Sequence, residues 1–306
     1  METFFQQLIN GLTVGSIYAL VALGYTMVYG ILGLINFAHG DVVMIGAMVA
    51  LTVASKLVGV LPGPLVLLIS LAVAAIACMV LGFTIERVAY RPLRNAPRLA
   101  PLITAIGISI VLQQLAMLVW GRGYHPVPAL LPSTMHDVLG VQINDVQLLI
   151  MATAAVTMAS LMLLVNRTRL GRAMRATAEN PEIASLMGVD VNRVISATFI
   201  IGSALAALAG VMVSTHYGIA HYSMGFMLGL KAFTAAVLGG IGNLGGAMLG
   251  GVLLGVIEAL GAGYIGDLTG GVFGSNYQDV FAFIVLIIVL VFRPSGLMGE
   301  RVSERA

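Results

Sequence analysis

The sequence predicts an all-α fold, a polytopic transmembrane helical bundle that fills residues 1–306 as a single domain. Hydrophobic residues make up 59% of the chain and charged residues only 9%, whereas soluble domains carry about 25% charged residues. Unbroken apolar runs also reach the roughly 20 residues that a helix needs to cross a bilayer. Only helices and closed β-barrels satisfy their backbone hydrogen bonds inside lipid. These runs are continuous and lack the alternating pattern of barrel strands, so the spanning elements should be helices.

Eight apolar runs define the predicted helices in order along the chain: 8–32, 41–55, 64–86, 100–120, 146–165, 194–214, 225–263 and 277–292. The run 225–263 is long enough to cross twice, which gives about nine crossings within a range of 8–10 that includes broken or re-entrant helices. Glycines four residues apart, such as Gly11 with Gly15 and Gly251 with Gly255, predict close packing between helices.

Basic residues predict the orientation of the bundle, because cytoplasmic loops of membrane proteins are enriched in arginine and lysine. They gather in three regions: Arg87, Arg91, Arg94 and Arg98; Arg167, Arg169, Arg172, Arg175 and Arg193; and Arg293, Arg301 and Arg305. The connection 121–145 should face the opposite side. We therefore expect an external amino terminus and a cytoplasmic carboxyl terminus, and because 1–10 lacks the basic residues of a signal peptide, we expect no cleavage.

The composition also excludes several classes of site. The net charge is +2 and the lysines are Lys56 and Lys231, so no basic tract for nucleic acid is present. Cys78 is the single cysteine, which excludes an internal disulfide and a cysteine-based metal cluster. His39 and Asp41 lack a third ligand at helical spacing, so we expect no metal site.

Two polar or glycine-rich breaks interrupt the apolar pattern near membrane depth, at 36–41 and at 239–246. Interrupted helices in matching positions of transporters line the solute pathway. The candidate lining residues are Asn36, His39, Asp41, Gly242 and Asn243. Tight turns between spans would give the same pattern, so both interpretations stay open.

The longest polar interruption, 166–193, contains a short helix that its end signals define. Asn180 is a good N-cap, Pro181 suits the first helical position, Glu182 complements the positive helix end, and Gly188 suits a left-handed stop. An apolar face follows from the i, i+3, i+4 spacing of Ile183, Leu186 and Met187.

A helix of about nine residues is marginal alone and needs a surface to dock on. That surface is either the protein's own bundle or interfacial lipid, or a groove on a cytoplasmic partner. The chain has no G-x-x-x-x-G-K-[ST] phosphate loop. An ATP-driven mechanism would therefore need a separate motor.

Four segments together resemble the permease subunits of branched-chain amino-acid ABC importers, of the LivH type within a broader family of urea and sugar permeases. They are GILGLINFAHGDVVMIG (30–46), GRAMRATAENPEIASLMGVDVNRV (171–194), LGGIGNLGGAMLGG (238–251) and RPSGL (293–297). These segments extend over the whole chain.

The resemblance implies import of leucine, isoleucine or valine across a bacterial inner membrane, with urea or another amino acid as the alternative solute. It implies a second, paralogous permease subunit, two cytoplasmic subunits that bind ATP and Mg, and a periplasmic solute-binding protein. It further implies that 179–188 is the coupling helix of the cytoplasmic loop 166–193 and that no residue is catalytic. The implied coupling residues are Glu179, Asn180, Pro181, Glu182, Ile183, Leu186, Met187 and Gly188.

Ionisable residues in apolar runs need an explanation, because charge is costly at membrane depth. These residues are His39, Asp41, His216, His221, Lys231, Glu258, Asp267 and Asp279. A proton-coupled secondary transporter would use several as a relay. The alternative is that most lie at span ends, while Lys231 and Glu258 form a buried structural ion pair across neighbouring spans.

Overall fold

The computed structural model describes residues 2–94, 96–97, 99–132, 134–138, 140–268, 277–293 and 295–299. Arg98, Arg301 and Arg305, which contributed to the predicted orientation, lie outside the described residues, as does the side chain of Asp267. The helices within the described part are α1 Glu2–Leu32, α2 His39–Leu57, α3 Gly63–Ile85, α4 Leu99–Trp120, α5 Asp145–Arg167, α6 Arg169–Glu179, α7 Pro181–Leu186, α8 Val191–Tyr217, α9 Met224–Gly239, α10 Leu244–Leu268 and α11 Gln278–Phe292.

Seven helices in the described residues are long and apolar enough to cross a membrane, which confirms the predicted polytopic bundle. They are α1, α2, α3 with its extension to Leu93, α4, α5, α8 and α10. The run 225–263, predicted to cross twice, divides into α9 and α10, of which only α10 is among the seven. With 16 residues, α9 rises only about 24 Å and falls short of the roughly 30 Å hydrocarbon thickness.

One compact unit contains Met27–Pro132 and Ala159–Leu230. Its core is formed where α2, α3 and α8 pack against one another through small residues. A Cβ atom added at Gly46 of α2 would lie 2.7 Å from the Ala207 Cα of α8, and one at Gly82 of α3 would meet the Ser203 side chain. These contacts let the helix backbones approach closely, as small residues do in membrane bundles.

The other unit contains the described residues of Met1–Thr26, Ser133–Met158 and Lys231–Ala306. Here the predicted glycine spacing brings α1 against α10. A Cβ atom at Gly11 would lie 2.6 Å from Val256 Cα, and one at Gly15 would lie 2.7 Å from Val252 Cα. The glycine pairs therefore pack helices within one chain.

Short strands occupy part of the predicted external connection 121–145. In the first unit β1 (His125–Pro126) pairs antiparallel with β4 (Ile219–Ala220). In the second, β2 (Met135–Val138) and β3 (Val141–Asn144) form a hairpin. The sequence did not predict these strands, but they are too short to alter the helical class.

Candidate coupling segment and buried polar clusters

The polar interruption 166–193 folds into two capped helices, α6 and α7. The Thr168 hydroxyl accepts a hydrogen bond from the Gly171 amide at 3.0 Å and caps α6. The Asn180 Oδ1 atom accepts from the amides of Glu182 and Ile183, each at 3.0 Å, and caps α7. Both side chains satisfy amides that the first turn of a helix leaves without partners.

The end of α7 is equally well defined. Gly188 adopts φ +87°, the left-handed conformation that glycine tolerates at a helix stop. The Gly188 amide donates to the Ser185 carbonyl and the Val189 amide to the Ala184 carbonyl, each at 3.0 Å. Asp190 then caps α8 by accepting from the Arg193 amide at 3.1 Å. Capping hydrogen bonds therefore define where α6, α7 and α8 begin, and Gly188 defines where α7 ends.

The apolar face of α7 points away from the chain. Ile183 is 58% exposed, Leu186 86% and Met187 81%, whereas Ala184 on the opposite face is only 3% exposed. Docking of this face on the protein's own bundle, one of the two interpretations above, does not occur within the described residues. Glu179 and Glu182 are exposed beside the face. What remains is a surface for lipid or for a partner protein.

A buried acid that the sequence analysis missed anchors the residues that follow this segment. Glu86 is fully buried just after α3, where it pairs with Arg94 and accepts a hydrogen bond from the Ser196 hydroxyl at 2.7 Å. Arg94 also donates to Asn192 Oδ1 at 2.7 Å. These bonds join the end of α3 to the first turns of α8. The sequence pattern that indicates this ion pair is an acidic residue at the end of an apolar run, followed by several arginines.

The first break, 36–41, places three buried polar side chains at the start of α2. Asn36 Oδ1 accepts hydrogen bonds from the Ala38 amide at 3.2 Å and from the Tyr90 hydroxyl at 3.0 Å. His39, the first residue of α2, is 2% exposed. The bonds of Asn36 hold the unwound backbone between α1 and α2 in place.

Asp41, the last residue of that break and the third residue of α2, is 1% exposed. The Ser109 hydroxyl of α4 donates to Asp41 Oδ2 at 2.5 Å, and Gln113 Nε2 donates to the Ser109 oxygen at 3.3 Å. Asp41 therefore joins α2 to α4. A role of Asn36, His39 and Asp41 in lining a solute pathway stays a prediction.

The second break is a tight turn between α9 and α10. Gly240 and Gly242 have φ values of +106° and +97°, which side chains rarely adopt. Asn243 Oδ1 accepts from the Gly246 amide at 2.9 Å, and its Nδ2 atom donates to the Met298 carbonyl at 3.1 Å. Gly242 and Asn243 thus shape and cap this turn, and a pathway role for them also stays a prediction.

Lys231 and Glu258, proposed above as an ion pair, lie together within one unit. Lys231 Nζ is 3.3 Å from Glu258 Oε2, and the two side chains are 9% and 5% exposed. The Tyr18 hydroxyl donates to Glu258 Oε2 at 2.7 Å. Asp279 Oδ1 lies 2.5 Å from Lys231 Nζ, although its side chain is 39% exposed. Asp279 was predicted to lie at a span end. Neither its pairing with Lys231 nor the hydrogen bond from Tyr18 to Glu258 was predicted.

Other ionisable residues have separate surroundings. His221 Nδ1 lies 2.8 Å from Ser223 Oγ and its Nε2 atom 3.1 Å from the Arg122 carbonyl, on the connection after α8. His216 lies in the last turn of α8. Across the described residues, no group of three or more histidine, cysteine or acidic side chains could hold a metal ion.

Comparison with known proteins identifies the family. Residues 7–290 match the model for the permease component of branched-chain amino acid transport systems. The high-affinity branched-chain amino acid transport permease BraD of Pseudomonas aeruginosa is 49% identical, with 99% of this chain and 98% of BraD covered. The corresponding LivH of Escherichia coli K12 is 44% identical over 99% of this chain and 97% of LivH. A probable LivH of Methanocaldococcus jannaschii is 29% identical over 93% of this chain and 89% of that protein.

The family model and these relatives extend over nearly the whole chain, and seven apolar helices agree with a multi-pass membrane protein. The chain therefore belongs to the family of branched-chain amino acid transport permease components.

Proposed function

We propose that this chain is one permease subunit of an ATP-driven importer that carries leucine, isoleucine and valine across a bacterial inner membrane. The observation that carries the proposal is the 49% identity to BraD, whose name states high-affinity branched-chain amino acid transport. Urea or another amino acid is the alternative cargo.

The subunit works with partners that supply energy and deliver solute. A paralogous permease completes the pathway, two cytoplasmic subunits bind ATP and Mg and hydrolyse the nucleotide, and a periplasmic binding protein delivers the amino acid. The absence of a phosphate loop from this sequence supports the separate motor. The amino terminus lies outside and the arginine-rich segments lie in the cytoplasm, in keeping with the positive-inside rule.

Residues 179–188 couple the motor to the pathway. The exposed face of Ile183, Leu186 and Met187 docks into a groove of an ATP-binding subunit, as amphipathic helices do in many complexes. The Asn180 cap keeps α7 formed, and the Glu86 bonds tie the start of α8 to the end of α3. Motion of the docked helix is therefore passed to two spanning helices rather than absorbed by a loose loop.

Uptake by proteoliposomes containing the complete complex tests this function. Labelled leucine should accumulate only with internal ATP and the external binding protein. Replacing the phosphate-loop lysine of the ATP-binding subunit with alanine should abolish accumulation. Excess unlabelled isoleucine or valine should compete, whereas urea should not.

Two results would contradict the proposal. Uptake that survives loss of the ATP-binding subunit but collapses with a protonophore would indicate a proton-coupled secondary transporter. Competition by urea but not by isoleucine would move the solute assignment to the alternative cargo while leaving the ATP-driven mechanism in place.

A further inference from the structure

A cavity of about 430 Å³ lies between the end of α3 and the start of α8, within a single unit. This volume is in the range of ligand pockets in proteins. One wall contains Phe83, Arg87 and Arg91, and the other contains Asp190, Arg193 and Ile200. The bond from Ser196 to Glu86 and the bond from Arg94 to Asn192 join the two walls. The cavity plays no part in the coupling contact proposed above.

The lining is strongly basic. Three arginines and one aspartate give it a net charge of +2. Asp190 pairs with Arg193, with 2.9 Å between Oδ2 and Nε. Arg87 and Arg91 form no ion pair with any side chain in the described part of the chain, and the Arg87 guanidinium lies 5.8 Å from the centre of the Phe83 ring. Two guanidinium groups therefore face the cavity without a carboxylate partner.

The lining combines apolar residues of two spanning helices with basic residues near the ends of those helices. Phe83 and Ile200 belong to the apolar spanning helices α3 and α8. Arg87 and Arg91 lie in the extension of α3 to Leu93, and Arg193 lies in the first turn of α8. Long basic side chains at the ends of spanning helices reach the headgroup region. A ligand that fills this cavity must carry both an apolar portion and an anion.

We propose that this cavity binds an anionic phospholipid, with the phosphodiester held by Arg87 and Arg91 and the upper acyl chain resting on Phe83, Ala197 and Ile200. Guanidinium groups bind phosphate through paired hydrogen bonds. Basic pockets between spanning helices are known to suit such headgroups. Bound lipid would bridge α3 and α8 beside the segment that follows α7. The proposed ligand does not depend on the solute assignment.

Native mass spectrometry of the intact complex, purified from membranes and exchanged into vesicle lipid, measures the retained lipid directly. The probes are phosphatidylglycerol and phosphatidylcholine vesicles. The complex should retain phosphatidylglycerol in preference to phosphatidylcholine. Each arginine near the surface contributes roughly fivefold to anionic lipid binding, so R87Q/R91Q should weaken retention by about 25-fold.

Two further variants separate a lipid site from simpler explanations. R172Q removes an exposed arginine of α6 that does not line the cavity, and it should leave retention unchanged. A197W fills the apolar wall while keeping every arginine, so it should release phosphatidylglycerol. Inorganic phosphate at millimolar concentration should not displace the lipid.

Three outcomes would overturn the proposal. Equal loss in R172Q and R87Q/R91Q would show general surface attraction. Displacement by phosphate together with normal retention in A197W would show a free-anion site. Normal lipid retention in R87Q/R91Q with loss of the ATP-binding subunits from the complex would show that the cavity is a protein docking site.

Discussion

Replacing Lys231 with methionine should destabilise the protein far more than the same change at its other lysine, Lys56. Lys231 is the cation that separates Glu258 from Asp279, and both carboxylates lie within 3.3 Å of its Nζ atom. Methionine keeps most of the side-chain volume but removes the charge. Glu258, with a side chain only 5% exposed, then stays buried and keeps the hydrogen bond that the Tyr18 hydroxyl donates to it.

Breaking a buried ion pair on one side typically costs 3–5 kcal/mol. The value here should lie near the lower limit, about 3 kcal/mol, because Tyr18 still donates to Glu258 and because Asp279 is 39% exposed and partly solvated. In a chain of this length 1 kcal/mol lowers Tm by roughly 2 °C. The expected fall in Tm is therefore about 6 °C.

Thermal unfolding of the purified protein in detergent measures this effect. K56M is the matched control, since Lys56 is exposed in the last turn of α2 and forms no ion pair within the described residues. The double variant K231M/E258L should recover much of the lost stability, because it replaces the broken pair with apolar side chains. A Tm for K231M equal to that of K56M, or a further fall in the double variant, would show that the buried ion pair does not stabilise the fold.

Three other changes test the packing and the caps. G15A should lower the free energy of unfolding by about 1–3 kcal/mol, because the added Cβ would lie 2.7 Å from Val252 Cα. In the control G107A the added Cβ meets nothing within 4 Å, so that change should be neutral or slightly stabilising. Equal effects in thermal unfolding would contradict the helix contact. N180A should lower the stability of α7 by about 1 kcal/mol, seen as faster amide exchange at 182–187, and unchanged exchange would contradict the cap. E86Q should lower the free energy of unfolding by about 2 kcal/mol, because the neutral amide no longer forms an ion pair with Arg94. An unchanged midpoint in chemical denaturation would show that this ion pair is not stabilising.

Features fixed by neighbouring residues could be predicted from the sequence. Asn180, Pro181 and Gly188 determine where α7 begins and ends through bonds that reach at most five residues along the chain. The division of 225–263 followed in the same way from the glycine-rich break at 239–246. Hydrophobic length alone was sufficient for the spanning helices, because lipid leaves the backbone few alternatives.

Contacts between distant residues could not be predicted in the same way. Tyr18 and Glu258 are 240 positions apart, and Glu86 and Ser196 are 110 apart. Pairing Lys231 with Glu258 was possible because they lie deep in the two neighbouring spans predicted within the run 225–263. Asp279 was assigned to a span end because its depth depends on how α11 packs, which local pattern does not determine.

The exposed apolar face of α7 also needed the structure. The spacing of Ile183, Leu186 and Met187 predicts a face but does not say what covers it. Their exposure of 58–86% leaves that face open within the described chain. The open face is therefore available to dock on a partner subunit, as the proposed coupling role requires.

The most direct test compares ATP hydrolysis and leucine uptake in the reconstituted complex carrying L186A. The matched control is L118A, which truncates a leucine of α4 that is 76% exposed, compared with 86% for Leu186. L186A should lose most uptake and most of the ATPase stimulation by loaded binding protein, while L118A should behave as the unmodified complex. Normal uptake and normal stimulation in L186A would contradict the coupling role of α7.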